Sequence, residues 1–151
     1  KNPSREPLPG GQAQLFVGAD PAGVAQLNLI SPGEAFTLPL GIDRALRPRR
    51  TVRMNTVEKG VFNKDEITEY VVVTELENPY RTPISVRVSD QLPLSGNKDV
   101  EVRLVKSEPP VQPDPVKGSL DFLLTIAAGS KTTVSFTYTL KRPKGYRLTQ
   151  G

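Results

Sequence analysis

The sequence predicts an all-β fold, namely an antiparallel immunoglobulin-like β-sandwich of about nine strands with little or no helix. Proline gives the first indication: 15 of the 151 residues are proline, and proline removes a backbone donor and clashes with the preceding helical turn. The second indication is the alternation of apolar and polar residues with a period of two, which is typical of half-buried strands. A chain of this length with 36% hydrophobic residues is expected to form a single domain with a modest core.

The N-terminal segment differs in composition from the rest of the chain. Residues 1–11 contain three prolines and end in a glycine pair, which favours an extended arm or linker. We therefore expect an arm over residues 1–11 and one β-sandwich domain over residues 12–151.

Two hairpins are predicted from strand–turn–strand patterns. The first occupies residues 27–40, with a Pro-Gly turn near its centre, and the second occupies residues 120–140, with a turn at Ala128-Gly129. Their loose likeness is explained by common turn chemistry, so no repeat of about 20–50 residues is predicted.

Five further strands complete the predicted set. They cover residues 13–18, 46–54, 67–76, 84–88 and 100–104. The segment 67–76 is apolar on both faces around Tyr70-Val71-Val72-Val73, as expected of a central strand covered on both sides. Residues 108–118 hold four prolines and are predicted to form a stiff, exposed loop.

Composition argues against most enzyme chemistry. The chain has no Cys and no His, which excludes disulfides, thiol nucleophiles and histidine bases. Asp90, Asn97 and Asp99 offer oxygen ligands, but their spacing fits no calcium loop and turn formation accounts for them. We expect no catalytic residues, no cofactor and no metal. No apolar stretch approaches the roughly 20 residues of a transmembrane helix.

Basic residues cluster in two places. These are Arg44, Arg47, Arg49, Arg50 and Arg53, together with Lys141, Arg142, Lys144 and Arg147. An alternating strand would place Arg47, Arg49 and Arg53 on one face, where they could bind anionic polysaccharide or a membrane surface. Aromatic residues are not interleaved with them, so no specific nucleic-acid binding is expected. The alternative interpretation is a solvated strand face neutralised by cross-strand ion pairs with the acidic strand at residues 69–77.

Two loops are candidates for recognition of another chain. Their residues are Asp90, Gln91, Leu92, Pro93 and Leu94 in one loop and Pro109, Pro110 and Pro113 in the other. Loops at one end of a sandwich commonly bind partners. Alternatively, Leu92 and Leu94 tuck beneath the rim of the sandwich and have a structural role, since large aliphatic side chains favour burial.

Several ordered motifs carry a resemblance to a known family. They are Glu77-Asn78-Pro79, Thr82-Pro83-Ile84-Ser85-Val86, Asp90-Gln91-Leu92-Pro93-Leu94-Ser95, Asn97-Lys98-Asp99-Val100-Glu101-Val102 and Arg142-Pro143-Lys144-Gly145. Across most of its length the chain resembles the C-terminal domain, of unknown function, of the mucoidy-inhibitor-A-like bacterial proteins. The resemblance implies a β-sandwich in an envelope protein, periplasmic or surface-exposed, whose upstream part is missing here.

The expected function is that of a non-enzymatic interaction module. Its partner would be another protein chain, or the upstream part of the same protein, bound through a sheet edge or the end loops. The alternative is a module that binds anionic polysaccharide or a membrane surface through the basic residues.

Overall fold

The structure, a computed structural model, describes residues 1–58 and 65–143, without the side chains of residues 57 and 58. Within these ranges the chain forms eight strands, every pairing is antiparallel, and there is no helix. The all-β prediction is confirmed, whereas the count of nine strands is wrong by one. Lys144 and Arg147 lie outside the described residues.

The chain divides into two compact units, Lys1–Arg44 and Ala45–Gly151. The sequence-based division differs, since it separates residues 1–11 from a single domain over residues 12–151. Here residues 1–11 belong to the first unit: Asn2 is buried and Leu8 forms a β-bridge with Ile30.

The first unit contains one hairpin. Strand β1 (Gly11–Val17) pairs with β2 (Asp20–Leu27), and Leu15 and Ala25 are buried on it. Strand β2 begins at Asp20-Pro21 and is not among the predicted strands, because its proline and glycine have low β-propensity.

The hairpin predicted over residues 27–40 is wrong. The turn exists, because the Glu34 amide donates to the Ser31 carbonyl at 3.1 Å, but no strand follows it. The backbone groups at the turn are used by the N-terminal segment instead: the Asn2 amide donates to the Glu34 carbonyl, and the Gly33 amide donates to the Asn2 carbonyl.

The second unit contains two sheets. Strands β3 (Arg49–Glu58), β4 (Asp65–Glu77), β5 (Ile84–Gln91), β6 (Glu101–Glu108), β7 (Ser119–Ile126) and β8 (Lys131–Pro143) build it. Four of them form a sheet in the order β3-β4-β8-β6, while β5 pairs with β7. Strand β4 therefore lies inside its sheet, as predicted, but its buried residues all lie on one face, so the expected cover on both faces is not observed.

One hydrophobic cluster joins the two sheets. Its buried members are Val72, Leu92, Leu120, Phe122, Val134, Phe136 and Tyr138. Aromatic rings run through it, since Phe136 lies 6.5 Å from Phe122 and 6.2 Å from Tyr138, and Tyr138 stacks on Tyr70 at 4.8 Å between ring centroids. The even-numbered residues of β4 and β8 thus face the core.

The hairpin predicted over residues 120–140 is also wrong in its pairing. Strand β7 pairs with β5, whereas β8 pairs with β4 and β6, so residues 127–130 connect one sheet to the other. Both strands bury their even-numbered residues in the same core. Apolar–polar alternation reports which side chains are buried, but not which strand is the hydrogen-bonding neighbour.

Asn78, which is fully buried, secures this connection between the sheets. Its side-chain amide donates to the carbonyls of Thr82, Ile126 and Ala127 at 2.8–3.1 Å. Its side-chain oxygen accepts from the Tyr80 amide at 2.9 Å. The Asn-Pro corner after β4 is thereby tied to the end of β7.

The first unit contains a second copy of this corner, centred on Asn2. The Asn2 side chain donates to the carbonyls of Glu6 and Ile30 and accepts from the Ser4 amide. Ser4 and Glu6 follow Asn2 at the same spacing as Tyr80 and Thr82 follow Asn78. The two segments share the pattern Asn-Pro-x-Arg-x-Pro-aliphatic, at residues 2–8 and 78–84. This seven-residue likeness is shorter than a repeat of about 20–50 residues, so it concerns the corner alone.

Candidate interaction surfaces

The structure does not bring the predicted basic residues together on one strand face. Arg44 belongs to the first unit, and Arg47 precedes β3, which begins at Arg49. Of the three arginines predicted to share one strand face, Arg49 and Arg53 therefore do so on β3, whereas Arg47 lies before the strand. In the β3–β4 register these two lie opposite Glu75 and Val71, on the sheet face directed away from the core.

Arg50 lies on the opposite face of β3 from Arg49 and connects the larger sheet to the smaller one. Its Nε donates to Asp90 Oδ2 at 2.8 Å and its Nη2 to Asp90 Oδ1 at 3.2 Å. The hydrogen bonds to the Asp90 carboxylate raise the pKa of Arg50 above its ordinary value, because they favour the charged form. The sequence predicts ion pairs between the arginine cluster and the acidic strand at residues 69–77. Arg50 instead forms its ion pair with Asp90 of β5.

The C-terminal basic residues in the described range are also paired with acids. Lys141 Nζ lies 3.0 Å from Asp65 Oδ2, and Arg142 Nη2 lies 2.8 Å from Glu66 Oε1. On the outward face of the larger sheet, Lys141 stands opposite Glu101. Acidic and basic side chains therefore alternate there.

The two predicted recognition loops lie against each other. The Leu92 amide donates to the Gly118 carbonyl at 2.9 Å, and Gln91 Nε2 donates to the Lys117 carbonyl at 2.7 Å. Asp90 and Gln91 belong to β5 rather than to a loop. Burial is confirmed for Leu92 and wrong for Leu94, which is 62% exposed.

The proline-rich loop closes a groove beside β6. The groove has a volume of about 720 Å³ and is lined in part by Leu92, Val102, Val111, Pro110 and Pro113. The Asp114 carboxylate holds the far end of the loop, because it accepts the amides of Val116 and Lys117. These hydrogen bonds lower the pKa of Asp114.

The inner face of β3 carries two exposed apolar side chains beside the core of the second unit. Val52 and Met54 lie opposite Val72 and Tyr70 in the β3–β4 register, so all four share the core-directed face. Val72 is 1% exposed, whereas Val52 is 46% and Met54 74% exposed. The smaller sheet therefore covers β4 and leaves β3 open.

Tyr138 lies at the boundary of this open region. Burial raises the pKa of the Tyr138 hydroxyl, and the nearby Tyr70 adds to the increase, while the positive charge of Arg50 opposes it. The stacked tyrosine pair separates the closed core from the exposed side chains of β3.

The residues considered for a metal are engaged in other contacts. Asp90 binds Arg50, and the Asn97 side-chain oxygen accepts from the Asp99 amide at 2.9 Å. In residues 1–58 and 65–143, no group of three acidic side chains is placed to hold a metal ion. A separate finding concerns membranes: the same ranges contain no helix that is long and apolar enough to cross one.

A family profile described as "Domain of unknown function (DUF4139)" matches residues 4–144. The chain belongs to this family. The match confirms the coarser part of the resemblance seen in the sequence, which is membership of a family of domains of unknown function. The comparisons with curated proteins and with solved structures each gave no significant match.

The candidate surfaces of this DUF4139 chain lie within the matched residues, except for Arg147. The charge pattern points to the arginines of β3 and not to Val52 and Met54, which share their strand. The signal was present: Arg50, Val52 and Met54 alternate with Arg49, Thr51 and Arg53.

Proposed function

We propose that this DUF4139 chain is a non-enzymatic interaction module that binds another protein chain through an edge of its larger sheet. In this proposal the two sheets of the second unit form an immunoglobulin-like β-sandwich. The module is the C-terminal part of a larger envelope-associated bacterial protein of the mucoidy-inhibitor-A-like kind. The envelope location rests on the sequence resemblance, and the binding surface rests on the geometry of β3.

The observation that carries the proposal is the open inner face of β3. Contiguous apolar patches on a protein surface often mark sites where other chains bind, and Val52 and Met54 extend the apolar face of β4 on the same side of the sheet. Met54 is 74% exposed although Tyr70, directly opposite it, packs against the core cluster. Binding of a partner at β3 would extend the core by one strand.

The end loops offer a second contact region in the same proposal. Leu94 is exposed beside the buried Leu92, and the apolar groove beside β6 adjoins them. Polysaccharide or membrane binding through basic residues is less favoured, because Arg50, Lys141 and Arg142 are ion-paired. Their positive charge is largely compensated locally.

Site-specific photo-crosslinking in the native host tests the proposal. The full-length protein would carry a benzophenone amino acid at Met54 or at Leu123, which is equally exposed at 73% but lies on β7, facing away from the core. We expect a discrete crosslink to one protein, or to the upstream part of the same chain, from position 54 and not from position 123. Equal crosslinking from both positions, or none from either, would contradict the proposal.

A further inference from the structure

We propose that β3 is a docking edge for one extended strand in which apolar and acidic residues alternate. This inference rests on the proposed function, because it names the chemistry of the partner that binds there. It combines three observations: an open strand edge, an exposed apolar inner face and a basic outer face.

The first observation concerns the backbone of β3. The strand lies at the end of the sheet order and pairs only with β4 among the described strands. Ten consecutive residue pairs join the two strands without a register shift. Among the described residues, no backbone hydrogen bond outside the strand ladders involves residues 49–58. One row of amides and carbonyls therefore remains for a partner.

The other strand edges of this unit are less suited to strand addition. Strand β6 has a bulge at Val105, between Leu104 and Lys106, and bulges protect an edge because they interrupt its ladder. Strands β5 and β7 have continuous edges, but their inward residues, among them Val88 and Phe122, already pack in the core. Among the described strands of this unit, only β3 combines an open edge with uncovered apolar side chains on its inner face.

The second and third observations set the chemistry of the partner strand. Side chains of neighbouring strands share a face with the residues beside them. Residues beside Val52 and Met54 would complete the apolar layer. Residues beside Arg49 and Arg53 would face guanidinium groups that make no ion pair within 4 Å in the described residues. Carboxylates at those positions would compensate this charge.

A second copy of the chain is a poorer occupant. Pairing of β3 with β3 of another molecule would place three arginines from each copy, Arg49, Arg50 and Arg53, along one two-stranded ribbon. Like charges on adjacent strands are destabilising. The charge pattern therefore favours an acidic strand from a different segment or protein.

Peptide binding to the 151-residue chain tests this inference. The probes are two fluorescein-labelled ten-residue peptides, one alternating valine with glutamate and the other alternating valine with lysine, followed by fluorescence anisotropy. We expect at least about tenfold tighter binding of the glutamate peptide, with an affinity that falls as salt is added. The double variant Arg49→Glu/Arg53→Glu should reverse the preference.

The matched control is Arg103→Glu/Lys106→Glu, which makes the same charge change on β6 and should leave the preference intact. Equal affinity for both peptides, or an unchanged preference in the β3 variant, would overturn the inference. So would dimerisation of the wild-type chain that Val52→Lys/Met54→Lys abolishes, since it would identify a second copy as the occupant. A Met54 crosslink to a partner without an acidic strand would leave the proposed function standing and overturn this inference alone.

Discussion

Arg50 on β3 and Asp90 on β5 form a two-hydrogen-bond ion pair that joins the two sheets of the second unit. The Asp90 side chain is mostly buried, while that of Arg50 is about half exposed. The pair lies at the border between the covered part of the larger sheet and its open edge. It holds β3 to the smaller sheet where the apolar core does not reach.

A double-mutant cycle should detect this link between the sheets. Arg50→Ala, Asp90→Ala and the double variant are expected to give a coupling energy of about 1 kcal/mol in urea unfolding, because bidentate arginine–carboxylate pairs exceed simple surface pairs. The control cycle uses Arg103 and Glu101, an exposed pair on β6, and should give about 0.3 kcal/mol or less. Similar coupling energies in the two cycles would contradict a special role for Arg50 and Asp90.

Replacing Asn78 should strongly destabilise the second unit. Asn78→Ala removes four hydrogen bonds and leaves the carbonyls of Ile126 and Thr82 without this donor, so we expect a loss of about 2–4 kcal/mol in the free energy of unfolding. Asn97→Ala, in an exposed turn, should cost less than about 1 kcal/mol. Equal losses for the two variants would show that the corner is not needed.

A glycine substitution tests how closely the two end loops pack. A Cβ at Gly118 would lie 3.1 Å from the Leu92 carbonyl oxygen and from Leu94 Cδ2, and φ at this residue is +67°. Gly118→Ala should therefore destabilise the chain by about 1–3 kcal/mol. Gly96→Ala, where nothing lies within 4 Å, should change the free energy of unfolding by less than about 0.5 kcal/mol. A neutral Gly118→Ala would mean that the loops are not in contact in solution.

Tyr138 should make the protein sensitive to alkaline pH. Because burial raises its folded-state pKa, the stabilising contribution is present below the unfolded pKa of about 10 and is lost as the pH rises through the folded pKa. Tyr138→Phe should therefore lose less stability than the wild type between pH 8 and about pH 11. Urea unfolding across this range measures the difference, and parallel curves for the two proteins would refute it.

Much of the fold followed from local patterns in the sequence. The strands around Val86, Val102 and Phe122 were predicted because each buries alternate residues in one core. Strand pairing was not predictable in this way, because β7 and β8 face each other across the core and give the same pattern as a hairpin. Strand β2 was hidden because Pro21 and Gly23 have low β-propensity.

The candidate site was only partly accessible from sequence. Arg49, Arg50 and Arg53 were recognised as a cluster, but the side of the strand on which each lies depends on where β3 begins. The partner of Arg50 comes from a strand 40 residues away, which no local pattern reports. Likewise, the exposure of Val52 and Met54 depends on how far the smaller sheet extends over the larger one.

Hydrogen exchange at β3 tests the central claim most directly. The amides of residues 49–58 would be followed in the 151-residue chain, alone and with the valine–glutamate peptide. We predict that the β3 amides directed away from β4 exchange rapidly in the free chain and slow by at least about tenfold when the peptide is bound. Amides of β3 that are already as protected as those of β4, or that do not respond to the peptide, would contradict the account of β3 as an open docking edge.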